Sequence, residues 1–198
     1  FKRPLYLRMM WNSLIITIPV LIGQLLLAPL AAYGFWQCRW KYKEILFYLY
    51  MIVMLMPLQL TLVPNYLVAN WLGIQNSSLA IILPAIGSPF LIFFFKQNAY
   101  SFPKDTLEAA RMDGLNEYQI FFKIFMPMMK STYAAAGIFM FMASWNNYMW
   151  PLIALQSDTK FTLPLVVANL ASGFTPDYGM TMVGIVLSTL PTIVVFFT

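Results

Sequence analysis

Charge-free apolar runs organise this chain. No Asp, Glu, Lys or Arg falls between Arg8 and Arg39, between Glu44 and Lys96, from Ser131 to Ser157, or from Tyr178 to the end. A helix crosses a bilayer core with about 20 apolar residues. The first, third and fourth of these runs therefore hold one span each, and the second is long enough for two. The pattern predicts an all-α membrane fold with five spans, over 11–35, 45–63, 79–95, 132–155 and 178–198, because only internally hydrogen-bonded backbone is stable in lipid. Pro64-Asn65 opens a polar turn between the second and third spans, and the stretch from Leu72 to Ser78 closes it. Pro84 and Pro89 fall inside the third span, where each is expected to bend the helix and free a carbonyl. Gln156 to about Pro176 reads as a polar loop. No internal repeat or low-complexity segment is visible.

Composition removes several classes of function. Hydrophobic residues make up 61% of the 198 positions and charged residues 10%, against about 25% charged in soluble domains. The net charge of +5 comes from basic residues placed singly between apolar runs, which fits membrane-flanking anchors and not a nucleic-acid surface. Cys38 is the only cysteine and histidine is absent, so an intrachain disulfide, a zinc site and a histidine-based triad lack their groups. No catalytic or metal site is expected. The first apolar run is too long for a signal-peptide core and reads as a membrane helix.

Basic residues in the loops set the orientation. Alternation places Arg39, Lys41, Lys43, Lys96, Lys104, Arg111, Lys123 and Lys130 on one side, and Lys2, Arg3, Arg8 and Lys160 on the other. The first, more basic side is expected to be cytoplasmic. This puts an amino terminus with three basic residues outside, which one further upstream helix would explain. The expectation is a truncated chain, with six spans in the complete protein.

The segment 96–130 carries the only long charged stretch. Pro103 suits the first turn of a helix, and Asp105 and Glu108 lie near its positive end. Leu107, Ala110, Arg111 and Gly114 share a face; Ala109, Ala110 and Gly114 are small enough to let another surface approach. Gly114 is a natural helix stop. Asn116 with Gln119 three residues on forms a capping-box pattern that restarts the helix. Ile120, Phe121, Ile124 and Phe125 give it an apolar face, with Lys123 and Lys130 placed for headgroups before Pro127 turns the chain into the fourth span. The result is a helix–Gly–helix elbow at the membrane surface.

Glu108-Ala109-Ala110, three residues, Gly114, nine residues, Ile124, one residue, Met126-Pro127 resembles the EAA loop of binding-protein-dependent ABC importer permeases, with Met126 in place of leucine. Six such matches arise by chance roughly once in 10⁷ starting points at average residue usage. Trp11-Asn12-Ser13-Leu14, Ala31-Ala32-Tyr33-Gly34-Phe35, Pro64-Asn65-Tyr66, Leu72-Gly73-Ile74-Gln75-Asn76-Ser77, Trp145 through Leu152, and Thr162-Leu163-Pro164-Leu165 are similar to the maltose-type carbohydrate branch. The resemblance covers nearly the whole chain as a single transmembrane domain, 1–198, without the family's first helix and last few residues.

The resemblance implies a permease subunit in a cell inner or plasma membrane. It implies that the cytoplasmic segment 96–130 is a coupling helix docking an ATPase subunit dimer through Glu108, Ala109, Ala110, Arg111, Asp113, Gly114, Ile124 and Pro127. A second, homologous permease subunit and an extracytoplasmic solute-binding protein are the further partners, alongside the lipid bilayer. ATP and magnesium would be used by the partner; this chain has no phosphate loop and is expected to bind no cofactor. Read without the motif, Glu108 and Arg111 are simply a solvated i, i+3 pair.

Trp145, Asn146, Asn147 and Tyr148 place amides beside aromatic rings within a span, which suits a polyol on a solute path. The same asparagines also serve interhelical hydrogen bonding, as do Asn12, Gln24, Gln59 and Ser88. The elbow does not discriminate cargo, so amino acid or phosphate import by the same architecture stands as an alternative. A secondary transporter or channel would call for membrane-embedded carboxylates or inverted repeats, and none of the five spans contains Asp or Glu.

Overall fold

A computed structural model describes residues 6–38, 40–172 and 178–197. The α-helical elements among these residues are α1 (Tyr6–Gln37), α2 (Lys43–Met54), α3 (Leu58–Trp71), α4 (Ser78–Ile86), α5 (Pro89–Ala99), α6 (Lys104–Met112), α7 (Glu117–Ile120), α8 (Met126–Met128), α9 (Lys130–Trp145), α10 (Met149–Ala154), α11 (Leu163–Ser172) and α12 (Tyr178–Phe197). A π-helical turn, Phe121–Phe125, joins α7 to α8. No strand occurs among the described residues. Three helical stretches, Tyr6–Gln37, Ser78–Ala99 and Tyr178–Phe197, are long and apolar enough to cross a membrane; the broken pairs Lys43–Met54 with Leu58–Trp71 and Glu117–Met128 with Lys130–Trp145 raise the number to five.

Proline and capping chemistry displace several span boundaries from their sequence expectations. The run expected over 45–63 is two helices, and Pro64 does not open a turn but lies inside α3. Pro57 has no N–H for the Val53 carbonyl, so α2 closes early, with Leu55 and Met56 donating to Ile52 and Val53. The run over 79–95 breaks between α4 and α5. Pro89 bends no helix interior there; it occupies the first turn of α5, where its missing donor is harmless, and Ser88 Oγ accepts from Leu91 N–H at 3.3 Å. The run over 132–155 stops at Trp145 and resumes at Met149.

The chain groups into two compact units. The first comprises Phe1–Gly23, Pro57–Ile86 and Ile138–Thr198. Its core includes Ile16, Val20, Ile81, Trp150 and Leu155, and the Trp150 indole donates to the Ala80 carbonyl at 3.0 Å. Asn76, the one described non-glycine residue with positive φ (55°), ties its loop to 154–160. Its Oδ1 accepts from the Gln156 and Ser157 amides at 3.0 and 3.2 Å, and its Nδ2 donates to Ser157 Oγ at 2.8 Å. Short side chains with amide groups tolerate that backbone region better than others. Asn12 Nδ2 pins the same polar loop further along, donating to the Thr159 and Phe161 carbonyls, both at 3.0 Å. Gly184 lets α12 approach α11 closely, since a Cβ there would lie 2.6 Å from Val167 Cγ2.

The second unit comprises Gln24–Met56 and Gly87–Gly137. Aromatic rings form its centre: Tyr33 and Phe125 at 5.0 Å, Trp36 and Phe102 at 5.9 Å, Phe121 and Phe125 at 5.7 Å. Lys96, expected as the start of the charged cytoplasmic segment 96–130, instead lies inside α5 at 2% exposure. Its Nζ sits 3.3 Å from Glu44 Oε2 and 3.4 Å from the Phe47 ring centre. A buried ammonium needs such partners to offset its lost hydration; here they join α5 to α2.

Candidate functional site

The elbow forms in the second unit where the sequence expects it. Pro103 precedes α6 as its N-cap. At the other end, Gly114 adopts φ 82°, its N–H donates to the Arg111 carbonyl at 3.0 Å, and Leu115 N–H donates to the Ala110 carbonyl at 3.1 Å. This paired closure satisfies the last carbonyls of α6 and demands a left-handed residue. Asn116 and Gln119 exchange both capping-box bonds, at 2.9 and 3.0 Å, and so start α7. Pro127 cannot donate to the Lys123 carbonyl. The preceding turn widens to π geometry, with Met126 N–H on the Phe121 carbonyl, a common way to absorb such a residue.

Two faces of α6 have separate duties. Leu107 and Ala110 are buried, at 0% and 4% exposure, because three-residue spacing sets them on one side. Ala110 therefore does not belong to the small outward surface expected of Ala109, Ala110 and Gly114. Glu108, Ala109, Asp113 and Gly114 are exposed, as is Pro127, while Arg111 and Ile124 are half-buried. Arg111 turns from Glu108 to Glu117: Nε donates to Oε1 at 2.8 Å and Nη2 to Oε2 at 3.4 Å. The Gln37 amide, oriented with its oxygen toward Arg111, accepts from Nη1 at 2.9 Å. Tyr33, buried on α1, donates its hydroxyl to Glu117 Oε2 at 2.6 Å. Arg111 holds the Glu117 carboxyl below its usual range, the Tyr33 hydroxyl reinforcing it and burial opposing it; the same contact raises Arg111. A cavity of about 380 Å³ opens beside this cluster, lined by Trp36, Gln37, Lys43, Lys104, Glu108 and Arg111.

Glu117 and Gln37 escape a sequence reading. Glu117 lies 84 positions from Tyr33, and no periodicity links such a pair; the only hint is that Tyr33 stands in one of the span motifs.

The solute-path candidates lie in the first unit and separate from one another. Trp145 is buried at 1% exposure, stacks on Phe141 at 5.7 Å, and donates its indole N–H to the Ser188 carbonyl at 2.9 Å. It holds α9 to α12 and does not line the cavity that Asn146 and Tyr148 share. Asn146 is not inside a helix but follows the end of α9, its Nδ2 donating to the Met142 carbonyl at 2.9 Å. Asn146 and Tyr148 line a cavity of about 330 Å³ with Pro164, Thr181, Ser188 and Thr189, whereas Asn147 is outside the lining. Among the described residues no three His, Cys, Asp or Glu side chains gather as a cation site.

Apolar spans interrupted by one anchored amphipathic elbow define a polytopic, all-helical membrane protein. The fold is that of a bacterial ABC transporter involved in the import of the acidic polysaccharide alginate, with TM-score 0.85, 22% identity, and coverage of 96% of this chain and 72% of that one. The MetNI methionine ABC transporter also shares it, with TM-score 0.78, 16% identity, and coverage of 98% and 92%. The chain belongs to the family described as binding-protein-dependent transport system inner membrane component, which matches residues 6–198. It is 44% identical over 187 residues to the lactose transport system permease protein LacG of Rhizobium radiobacter, covering 94% of this chain and 68% of that protein. It is 37% identical over 192 residues to the arabinooligosaccharides transport system permease protein AraQ of Bacillus subtilis strain 168, covering 97% and 68%.

Proposed function

We propose that this chain is the non-catalytic permease subunit of an ATP-driven importer for a sugar or oligosaccharide. The observation that carries the coupling role is the two-faced elbow. Glu108, Ala109, Asp113 and Gly114 face outward, while Leu107, Ala110 and the Arg111–Glu117 pair fasten the same helix to its own unit. A helix with a bare, motif-bearing face and an anchored back is suited to receive force from a docked ATPase and pass it on. ATP and magnesium act in that ATPase dimer; a second permease subunit and an extracytoplasmic binding protein complete the importer, which alternates between inward- and outward-open states. The identities to lactose and arabinooligosaccharide permeases support saccharide cargo, and Asn146 with Tyr148 offers an amide and an aromatic face on the cavity wall. A phosphorylated polyol is the second reading, supported by 26% identity to sn-glycerol-3-phosphate permeases of Yersinia.

The test is uptake in a deletion strain carrying this chain, with lactose, arabinooligosaccharides, sn-glycerol-3-phosphate and an amino acid offered separately. Saccharide uptake restored by the chain is the expected result. Glu108→Lys and Gly114→Pro should leave the protein in the membrane yet uncouple ATP hydrolysis from uptake. Normal uptake in both variants sinks the docking assignment, and rescue by the amino acid alone sinks the saccharide assignment.

A further inference from the structure

We propose that Glu117 is a positioning residue that locks the elbow to the end of the first membrane helix, so that α6, α7 and the carboxy-terminal turns of α1 move as one body. The proposal rests on the docking role given above and adds the route by which movement of the elbow enters a span.

Among the described residues, Glu117 is the one carboxylate seen to contact three parts of the unit at once. It opens α7 inside the capping box, it accepts two bonds from Arg111 in the last turn of α6, and it accepts the Tyr33 hydroxyl from α1. The Arg111 contacts span the Gly114 turn, so they brace its two arms against each other. The Tyr33 contact then binds that braced piece to α1, and Gln37 adds a second tie from the same end of α1 to the guanidinium. An exposed ion pair alone contributes little. Here the pair is extended by a buried hydroxyl through a short, charge-assisted bond, and the Tyr33 ring packs on Phe121 and Phe125, the residues that follow α7. Remove the carboxylate and α1 still touches the elbow through rings that can slide and through the Gln37 tie to Arg111, but the contact that joins α1, α6 and α7 at one point is gone.

The chain carries its own reporter: Cys38, its only cysteine, is exposed one residue beyond α1. Met112, 89% exposed at the end of α6, supplies the second label as Met112→Cys. In the complete transporter, with cysteines of the other subunits replaced, the distance between spin labels at these positions is measured without nucleotide and with ATP and vanadate. A narrow distribution unchanged by nucleotide is expected with the link intact. Tyr33→Phe, which keeps the ring, and Glu117→Gln, which keeps the side-chain shape, should each broaden or shift it when nucleotide is added. A nucleotide-dependent shift with the link intact, or no shift in either variant, overturns the proposal. Uptake by the same complexes in sealed vesicles is scored alongside: normal uptake in both Glu108→Lys and Gly114→Pro overturns the docking role and the proposal with it, whereas loss of coupled uptake leaves the distances to decide on Glu117 alone.

Discussion

Gly114 offers the cleanest test of whether the elbow needs its turn. The residue sits at φ 82°, and a Cβ built there would meet nothing within 4 Å. Gly114→Ala therefore adds no clash, and its whole cost is the left-handed backbone, about 1–2 kcal/mol for an L residue. Asparagine tolerates this region, so Gly114→Asn should cost less. Gly114→Pro fixes φ near −65° and removes the N–H that reaches the Arg111 carbonyl, for about 3 kcal/mol or more. Local opening of the elbow then becomes easier by roughly 5- to 30-fold for Ala and about 100-fold or more for Pro, since about 1.4 kcal/mol is tenfold. Amide exchange of residues 104–120 in the purified complex reads these factors directly, and uptake should follow the order Gly, Asn, Ala, Pro. Ala protected as well as glycine, or opened as far as Pro, would refute the argument that backbone geometry alone sets the requirement.

Three further outcomes follow from contacts elsewhere. Asn76→Ala loses three side-chain bonds and leaves alanine at φ 55°, a cost of about 2–4 kcal/mol; thermal unfolding should show Asn76→Gly milder, because glycine relieves the backbone part. Gly184→Ala should destabilise by about 1–3 kcal/mol through contact with Val167 Cγ2, and Val167→Ala in the same chain should recover much of the loss in the same unfolding assay. The Glu117 carboxyl is depressed in the folded chain, chiefly by Arg111 and then by Tyr33. Its contribution is thus complete above about pH 4.5, the unperturbed value, and disappears as pH falls through the lower folded-state value. The protection advantage of α7 over the Glu117→Gln variant should persist at pH 6 and vanish on strong acidification; an advantage that grows on acidification would contradict the sign.

The helices were legible because charge cannot be placed cheaply in a bilayer, so its gaps outline them. Their breaks were not. Hydropathy is blind to whether Pro57 and Pro89 begin a helix or bend one, and capping by Ser88 decides the second case. Within the elbow, Gly114, Asn116 and Gln119 act locally over three or four residues, and local chemistry can be read from order along the chain. Small size at Ala110 suggests an accessible surface, but its three-residue spacing from buried Leu107 places it inward. Trp145 shows the converse, a residue chosen for ring chemistry that spends its only donor on the Ser188 carbonyl. The Glu117–Tyr33 contact depends on how α1 and α7 are packed, which no local pattern encodes.

The π turn at Phe121–Phe125 also gives meaning to a count. An α-helix advances about 100° per residue, but the wider turn closes over five residues where an α turn closes over four, so it absorbs one residue and keeps α7 nearly in phase with the helix from Met126 onward. Deleting one residue of 121–125 would let the turn close with α geometry and keep Glu117 facing Tyr33, whereas inserting one would swing the capped start of α7 by about 100° unless a second widened turn took it up. The interval from Gly114 to Pro127 therefore behaves as an angle expressed in residues. A substitution inside it can be absorbed, and so can loss of the one residue that the widened turn holds, but a further insertion would leave the elbow pointing the wrong way.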